Sequence, residues 1–262
     1  MQRKNEGNVA VIVGGTSGIG LETACRFAEL GDSVVIMGRE PEKMSTAVAA
    51  VKSRANPSAD VIGVHGDASG RMDVSRVFQA TMDHFGRVDI LVHVAGVSGR
   101  RWGDGPLDEC TDEAWDSVMQ NNVKSVFLSN QHALRIMKIQ QSGAIVNVSS
   151  VLGMVGTADH FCTHAYSASK GAIIALCRSA AVYYAKDHIR VNTVCPGLLD
   201  TPMSQRAVND PVIRQALTVY QPLAPHVGYP QDVAEAILFL ASANAKFITG
   251  IELPVDGGWT AQ

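Results

Sequence analysis

Tyr166 and Lys170 stand four residues apart in the segment AYSASKG, residues 165–171. On a helix that spacing sets both side chains on one face. A free phenol has a pKa of about 10, too high to take a proton readily at neutral pH. An ammonium group one turn away favours the phenolate and lowers that value, as would the positive charge of an oxidised nicotinamide. Such a pair suits general acid–base work on an alcohol or a ketone. Ser149 and Ser150 close the run VNVSS and offer hydroxyls that could donate to an oxygen gaining charge. Asn121 and Asn122 add two amides. Each residue also has a plain structural use, since tyrosine rings pack in cores and paired serines end strands. Tyr183 and Tyr184 have no lysine four residues on, and show that a tyrosine in this segment need not be chemical.

A second constellation is GGTSGIG, residues 14–20. Gly14, Gly18 and Gly20 allow a tight turn and a close ligand, with Thr16, Ser17 and Ile19 between them. A helix beginning there aims backbone N–H groups and the positive end of its dipole at an anion, for which a pyrophosphate is the natural occupant. The turn lacks the G-K-[ST] of a triphosphate loop, and Ile19 breaks a G-x-S-x-G nucleophile elbow. Alone, such a turn says little. Its place between a strand and a helix supports a dinucleotide reading.

These groups need a scaffold that delivers them to one edge. The runs at 8–15, 33–38, 60–66, 88–96, 143–150, 189–197 and 250–258 read as strands. Most are rich in Val and Ile and almost uninterrupted, as parallel strands covered on both faces require. Helix-length segments lie between them at 18–30, 41–54, 71–86, 112–137 and 164–187. Thr111 ahead of Asp112 and Glu113 is an N-cap signal, and Pro41 a first-turn residue. The alternation predicts an α/β chain: one doubly wound parallel, Rossmann-like sheet with helices on both faces, forming a single domain over 1–262. The segment 198–229 breaks the rhythm with Pro202, Pro211, Pro222 and Pro225. It follows the carboxyl end of a strand, where open α/β sheets bind ligands, and so reads as a long irregular substrate lid.

The 262 residues are 46% hydrophobic and 18% charged, enough for a full core. A net charge of −3 offers no basic excess to attract nucleic acid or an anionic membrane. No apolar run approaches the roughly 20 residues of a spanning helix. The apolar stretch of MQRKNEGNVAVIV is too short for a signal-peptide core. Cys25, Cys110, Cys162, Cys177 and Cys195 are scattered and odd in number, without C-x-x-C, and read as reduced thiols in a cytoplasmic protein. His160, Cys162 and His164 alternate in HFCTH, but no paired motif completes a ligand set, so no metal is expected.

The spacing Gly, three residues, Gly-x-Gly, taken with YSASK, resembles the short-chain dehydrogenase/reductase family. Further segments fall in that family's order: GDAS at 66–69, HVAG at 93–96, QNNVKSVF at 120–127, VNVSSVLG at 146–153, VNTVCPGLLDTPM at 191–203 and VDGG at 255–258. The resemblance runs from Val9 to Gly258. It implies an NAD(P)-dependent oxidoreductase moving a hydride between nicotinamide and a small-molecule secondary alcohol or ketone. The cofactor carries the hydride, and the protein supplies orientation and the proton.

By that resemblance Tyr166 is the general acid/base and Lys170 also bonds the nicotinamide ribose. Ser150, which begins SVLG, donates to the substrate oxygen. Asn122 holds a water linking Lys170 to solvent, with Asn121 the competing choice. The resemblance assigns to the cofactor Gly14, Thr16, Ser17, Gly18, Ile19, Gly20, Arg39, Asp67, Ala68, Ala95, Gly96, Tyr166, Lys170, Pro196, Gly197, Leu199 and Thr201. Gly197, Leu198 and Thr201 would border the carboxamide. Two positions depart from the family. Val13 stands where a threonine is usual, and His93-Val94 where two asparagines precede Ala-Gly, removing amides that would brace the strand ends. The gap of sixteen from Ser150 to Tyr166 exceeds the family's usual one, and the added loop would bring His160, Phe161 and His164 to the substrate.

Enzymes that take NAD usually carry an acid at the end of the second strand. Here Gly38 is followed by Arg39, a planar cation able to bond a 2′-phosphate and stack on adenine, with Glu40 expected to face solvent. NADP(H) is therefore favoured, with NAD(H) the alternative. The helix at 164–187 carries Ala, Ser and Ile on more than one face and wants several partners. Pairing of such helices across two-fold axes, as in the family, implies a homotetramer. A reading from another class is a non-catalytic dinucleotide sensor or scaffold on the same fold. It expects a broken Tyr/Lys/Ser set, which this chain has whole.

Overall fold

The structure, a computed structural model, describes residues 7–262, apart from the side chain of Asp159. The expectation of no leader rests partly on residues 1–6, which lie outside the described residues. Seven strands, β1 (Val9–Val13), β2 (Ser33–Gly38), β3 (Val61–His65), β4 (Ile90–His93), β5 (Gly143–Val148), β6 (Ile189–Pro196) and β7 (Glu252–Val255), form one sheet in the order β3-β2-β1-β4-β5-β6-β7. Every pairing is parallel. Val13 lies opposite both Met37 and His93, so the carboxyl ends of β2, β1 and β4 are level. The chain reverses its winding direction at β1, which opens a crevice at those carboxyl ends.

The near-continuous apolar strands are explained by cover on both faces. Ala10, Ile12, Val34 and Val92 pack with Phe27 of α1 (Gly18–Glu29) and Ile237 of α9 (Pro230–Ala241). Val11, Val13, Val35 and Leu91 point the other way, onto Phe78 of α3 (Arg71–Phe85), Leu128 of α5 (Ser125–Gln140) and Ile173 of α6 (His164–Tyr184). Burying one such large side chain stabilises the fold by about 1.5–3 kcal/mol. α2 (Pro41–Arg54) begins with its proline in the first turn, as its sequence predicts. Among the described residues no helix is long and apolar enough to cross a membrane.

Three elements differ from the sequence expectations. The predicted helix 112–137 is α4 (Asp112–Val118) joined to α5 by a π-helical turn over Met119–Lys124. The segment 198–229 is not an irregular loop. It contains α7 (Gln205–Asn209) and α8 (Pro211–Tyr220), the latter capped by Asp210, whose Oδ1 accepts from Val212 N and Ile213 N. Ile213 and Leu217 of α8 bury against Val151, Phe161 and Trp259, so this segment has a small apolar core of its own. α9 was not foreseen at all.

Candidate active site

A cavity of about 400 Å³ opens at the carboxyl ends of the strands. Its floor at β1 is the glycine turn. Gly14 adopts a φ of +88°, and a Cβ there would stand 2.6 Å from Ala95 N. Only glycine lets the turn lie against the end of β4. Ser17 precedes α1 in an extended conformation and makes no side-chain cap, which leaves the first-turn N–H groups for an anionic ligand. Of the residues assigned to the cofactor, Gly20 alone is absent from the cavity wall. It packs behind the turn, where a Cβ would run into the Gly14 carbonyl. The wall thus fits a dinucleotide: uncapped N–H groups at one end, the Tyr166–Lys170 face at the other.

Tyr166, Lys170 and Ser150 all reach this wall. α6 sets Lys170 beneath the phenol, Nζ 5.4 Å from the Tyr166 ring centroid, as the spacing of four requires. Nζ donates to the Val148 carbonyl at 3.0 Å, and the residue is buried. Burial pushes Lys170 down to about 8. Burial also pushes the Tyr166 phenol up to about 12, while a hydrogen bond with Ser150 acts the other way. Without the nicotinamide's positive charge, which the expected lowering also draws on, desolvation is the larger influence on the phenol.

The two serines divide their work. Ser149 Oγ donates to the Lys170 carbonyl at 2.8 Å and ties β5 to α6. Ser150 Oγ accepts from Leu152 N at 3.2 Å and shares the cavity wall with the phenol. The two asparagines also divide. Asn122 is buried and does not line the cavity. Its Oδ1 accepts from Val97 N at 2.8 Å, and its Nδ2 donates to the Val97 carbonyl and to Ser169 Oγ. It clasps the loop after β4 to α6. Asn121 is the one on the wall, accepting weakly from Arg39 Nη1 at 3.5 Å. Both sit on the π-helical turn, a distortion common at functional sites.

Two buried groups were missed or undervalued by sequence reasoning. Asp104 receives Ala165 N and Tyr166 N, each at 3.0 Å, and so caps the first turn of α6 from the loop after β4. Nothing near Asp104 in sequence signals this. His93 replaces the expected amide at the end of β4. It is wholly buried, Nδ1 2.8 Å from Ser129 Oγ and Nε2 3.1 Å from Ser125 Oγ, and Ser125 in turn donates to the carbonyl oxygens of Asn121 and Asn122. The histidine therefore braces the π-helical turn from below. Its neighbour Val94 lines the cavity.

Of the residues in the added loop, Phe161 lines the cavity, whereas His160 and His164 do not. His164 is exposed at the start of α6. At the β2 end Arg39 lines the cavity beside Gly38, and His65 Nε2 meets the Arg39 carbonyl at 2.7 Å. A Cβ on Gly38 would lie 2.5 Å from Thr16 Cγ2, so the glycine also makes room for the turn. Glu40 lies at the same rim, paired with Lys43 at 2.8 Å.

A parallel sheet wound both ways from β1, with a glycine turn at the switch and a phenol over a buried lysine, defines a dinucleotide-dependent oxidoreductase of the α/β class. The family described as enoyl-(acyl carrier protein) reductase matches residues 13–260. The chain is 40% identical over 253 residues to cis-4-hydroxycyclohexanecarboxylate dehydrogenase of Sinomonas cyclohexanicum, covering 97% of this chain and 96% of that one. It is 37% identical to the NADP-dependent (R)-specific alcohol dehydrogenase of Lentilactobacillus kefiri, over the whole of both. A short-chain type dehydrogenase/reductase from Mycobacterium ulcerans superposes with a TM-score of 0.91 at 29% identity, covering 98% of this chain and 91% of that one. The chain belongs to the short-chain dehydrogenase/reductase family. It is an oxidoreductase that uses a nicotinamide cofactor and acts on CH–OH groups.

Proposed function

We propose that the protein interconverts a cyclic secondary alcohol and its ketone, with Tyr166 exchanging the proton at the substrate oxygen. The observation that carries this reading is Ser150 and Tyr166 together on the cavity wall, with Lys170 beneath the phenol. The bound nicotinamide supplies the hydride donor or acceptor. Ser150 donates to the substrate oxygen as charge develops there. Tyr166 gives its proton to a ketone oxygen, or takes one from an alcohol, and Lys170, lowered by burial to about 8, lies one helical turn from it. Leu152, Phe161 and Trp259 offer an apolar wall to a ring. The hydroxycyclohexane named for the Sinomonas relative supports a ring substrate.

The same reading makes 198–229 the substrate lid and NADP(H) the cofactor, with the 2′-phosphate on Arg39. It also makes the protein a homotetramer, supported by Val182 and Tyr183, which α6 leaves exposed. The test is Tyr166→Phe, assayed by nicotinamide absorbance on a panel of cyclic alcohols and ketones. The variant should bind cofactor and lose roughly 10²–10⁴-fold in turnover. Retention of a tenth of the wild-type rate would remove Tyr166 from this role.

A further inference from the structure

Arg100 and Arg206 line the same cavity as Ser150 and Tyr166, and the mechanism above uses neither. Arg100 comes from the short turn Arg100–Trp102 after β4, Arg206 from α7. Among the described residues no carboxylate lies within ion-pair distance of either. Arg100 donates to the His160 carbonyl at 3.2 Å, which anchors its side chain at the wall. Partial burial, with the Arg206 charge acting the same way, pushes the Arg100 pKa down. Asp104 acts on Arg100 in the opposite sense, but both its oxygens are committed to α6 N–H groups.

Two like charges brought to one partly desolvated wall repel each other, and an anion received between them removes that cost. A guanidinium fork matches the oxygens of a carboxylate or sulfonate. Leu152, Phe161, Ala207 and Trp259 share the wall with them, and suit an apolar body attached to that anion. Arg39 serves a separate place, at the end of β2.

We propose that Arg100 and Arg206 together bind an anionic oxyacid group on the substrate, so that the enzyme takes apolar hydroxy or oxo acids in preference to neutral alcohols. This rests on the dehydrogenase reading and narrows its substrate class. The experiment is calorimetric titration of the protein saturated with NADP⁺, using cyclohexanecarboxylate, cyclohexanesulfonate and the neutral cyclohexanecarboxamide. At least one anion should bind about ten-fold or more tighter than the amide, and Arg100→Gln and Arg206→Gln should each erase most of that ratio. Both arginines are exposed, so the substitutions leave the core untouched. Equal affinity for all three probes, no binding by either anion, or an anion preference that survives both substitutions would overturn the proposal. It would equally fall if Arg206→Gln weakened NADP⁺ binding while the probe ratio stayed intact, since the arginine would then serve the cofactor phosphates. Failure of the dehydrogenase reading shows differently, as no NAD(P)H formed from any secondary alcohol.

Discussion

His93 should make this protein sensitive to mild acid, by an amount that follows from its surroundings. It has no solvent contact, and burial, with the Lys170 charge acting the same way, pushes its pKa down to about 3. In the unfolded chain a histidine titrates near 6.5. Above about pH 6.5 both states hold it neutral, and stability is unaffected. Below that value the unfolded chain gains a proton that the folded chain refuses, so stability falls with pH until about 3. The slope approaches about 1.4 kcal/mol per pH unit, and at pH 5 the loss is about 2 kcal/mol. At pH 5 the figure depends on the unfolded value alone, provided the native one lies below about 4. Urea unfolding of wild type and His93→Asn at pH 8 and pH 5 measures it. Any direct cost of the substitution appears at both pH values and cancels, as do the carboxylates common to both chains. Wild type should lose about 2 kcal/mol more than the variant between the two conditions. An equal loss in the two proteins would show that His93 is not held neutral by its site.

Arg39→Leu should lower the ratio of kcat/KM for NADP(H) over NAD(H) by about ten-fold or more, the loss of one or two charge-assisted hydrogen bonds; an unmoved ratio removes Arg39 from the phosphate site. Gly38→Asp is a poor substitute test, because its Cβ would displace Thr16 in the glycine turn. Asp104→Ala strips the acceptor from the first turn of α6 and should cost about 1–2 kcal/mol in urea unfolding, with Asp104→Asn recovering part of it. Static light scattering at micromolar concentration should give about four times 27.9 kDa, and a mass of one chain would exclude the tetramer.

The sheet was legible in the sequence because its causes are local. A strand covered on both faces must be apolar at every position, and the Val- and Ile-rich runs of β1, β2 and β4 show that directly. The Tyr166–Lys170 face follows from helical pitch, and the glycine turn from the backbone it must adopt. α8 was hidden because its prolines read as loop punctuation, though Pro211 sits in its first turn and Asp210 caps it. The resemblance picked Ser150, and the tertiary structure shows why it is the freer of two serines that both reach the cavity: Ser149 Oγ is committed to the Lys170 carbonyl. The tertiary structure alone brought Asp104 to the start of α6, 61 and 62 residues on, and set Arg206 on one cavity wall with Arg100. The spacing showed the lysine beside the phenol, but the desolvation of both depends on everything packed around them, and only the folded chain assembles that surrounding.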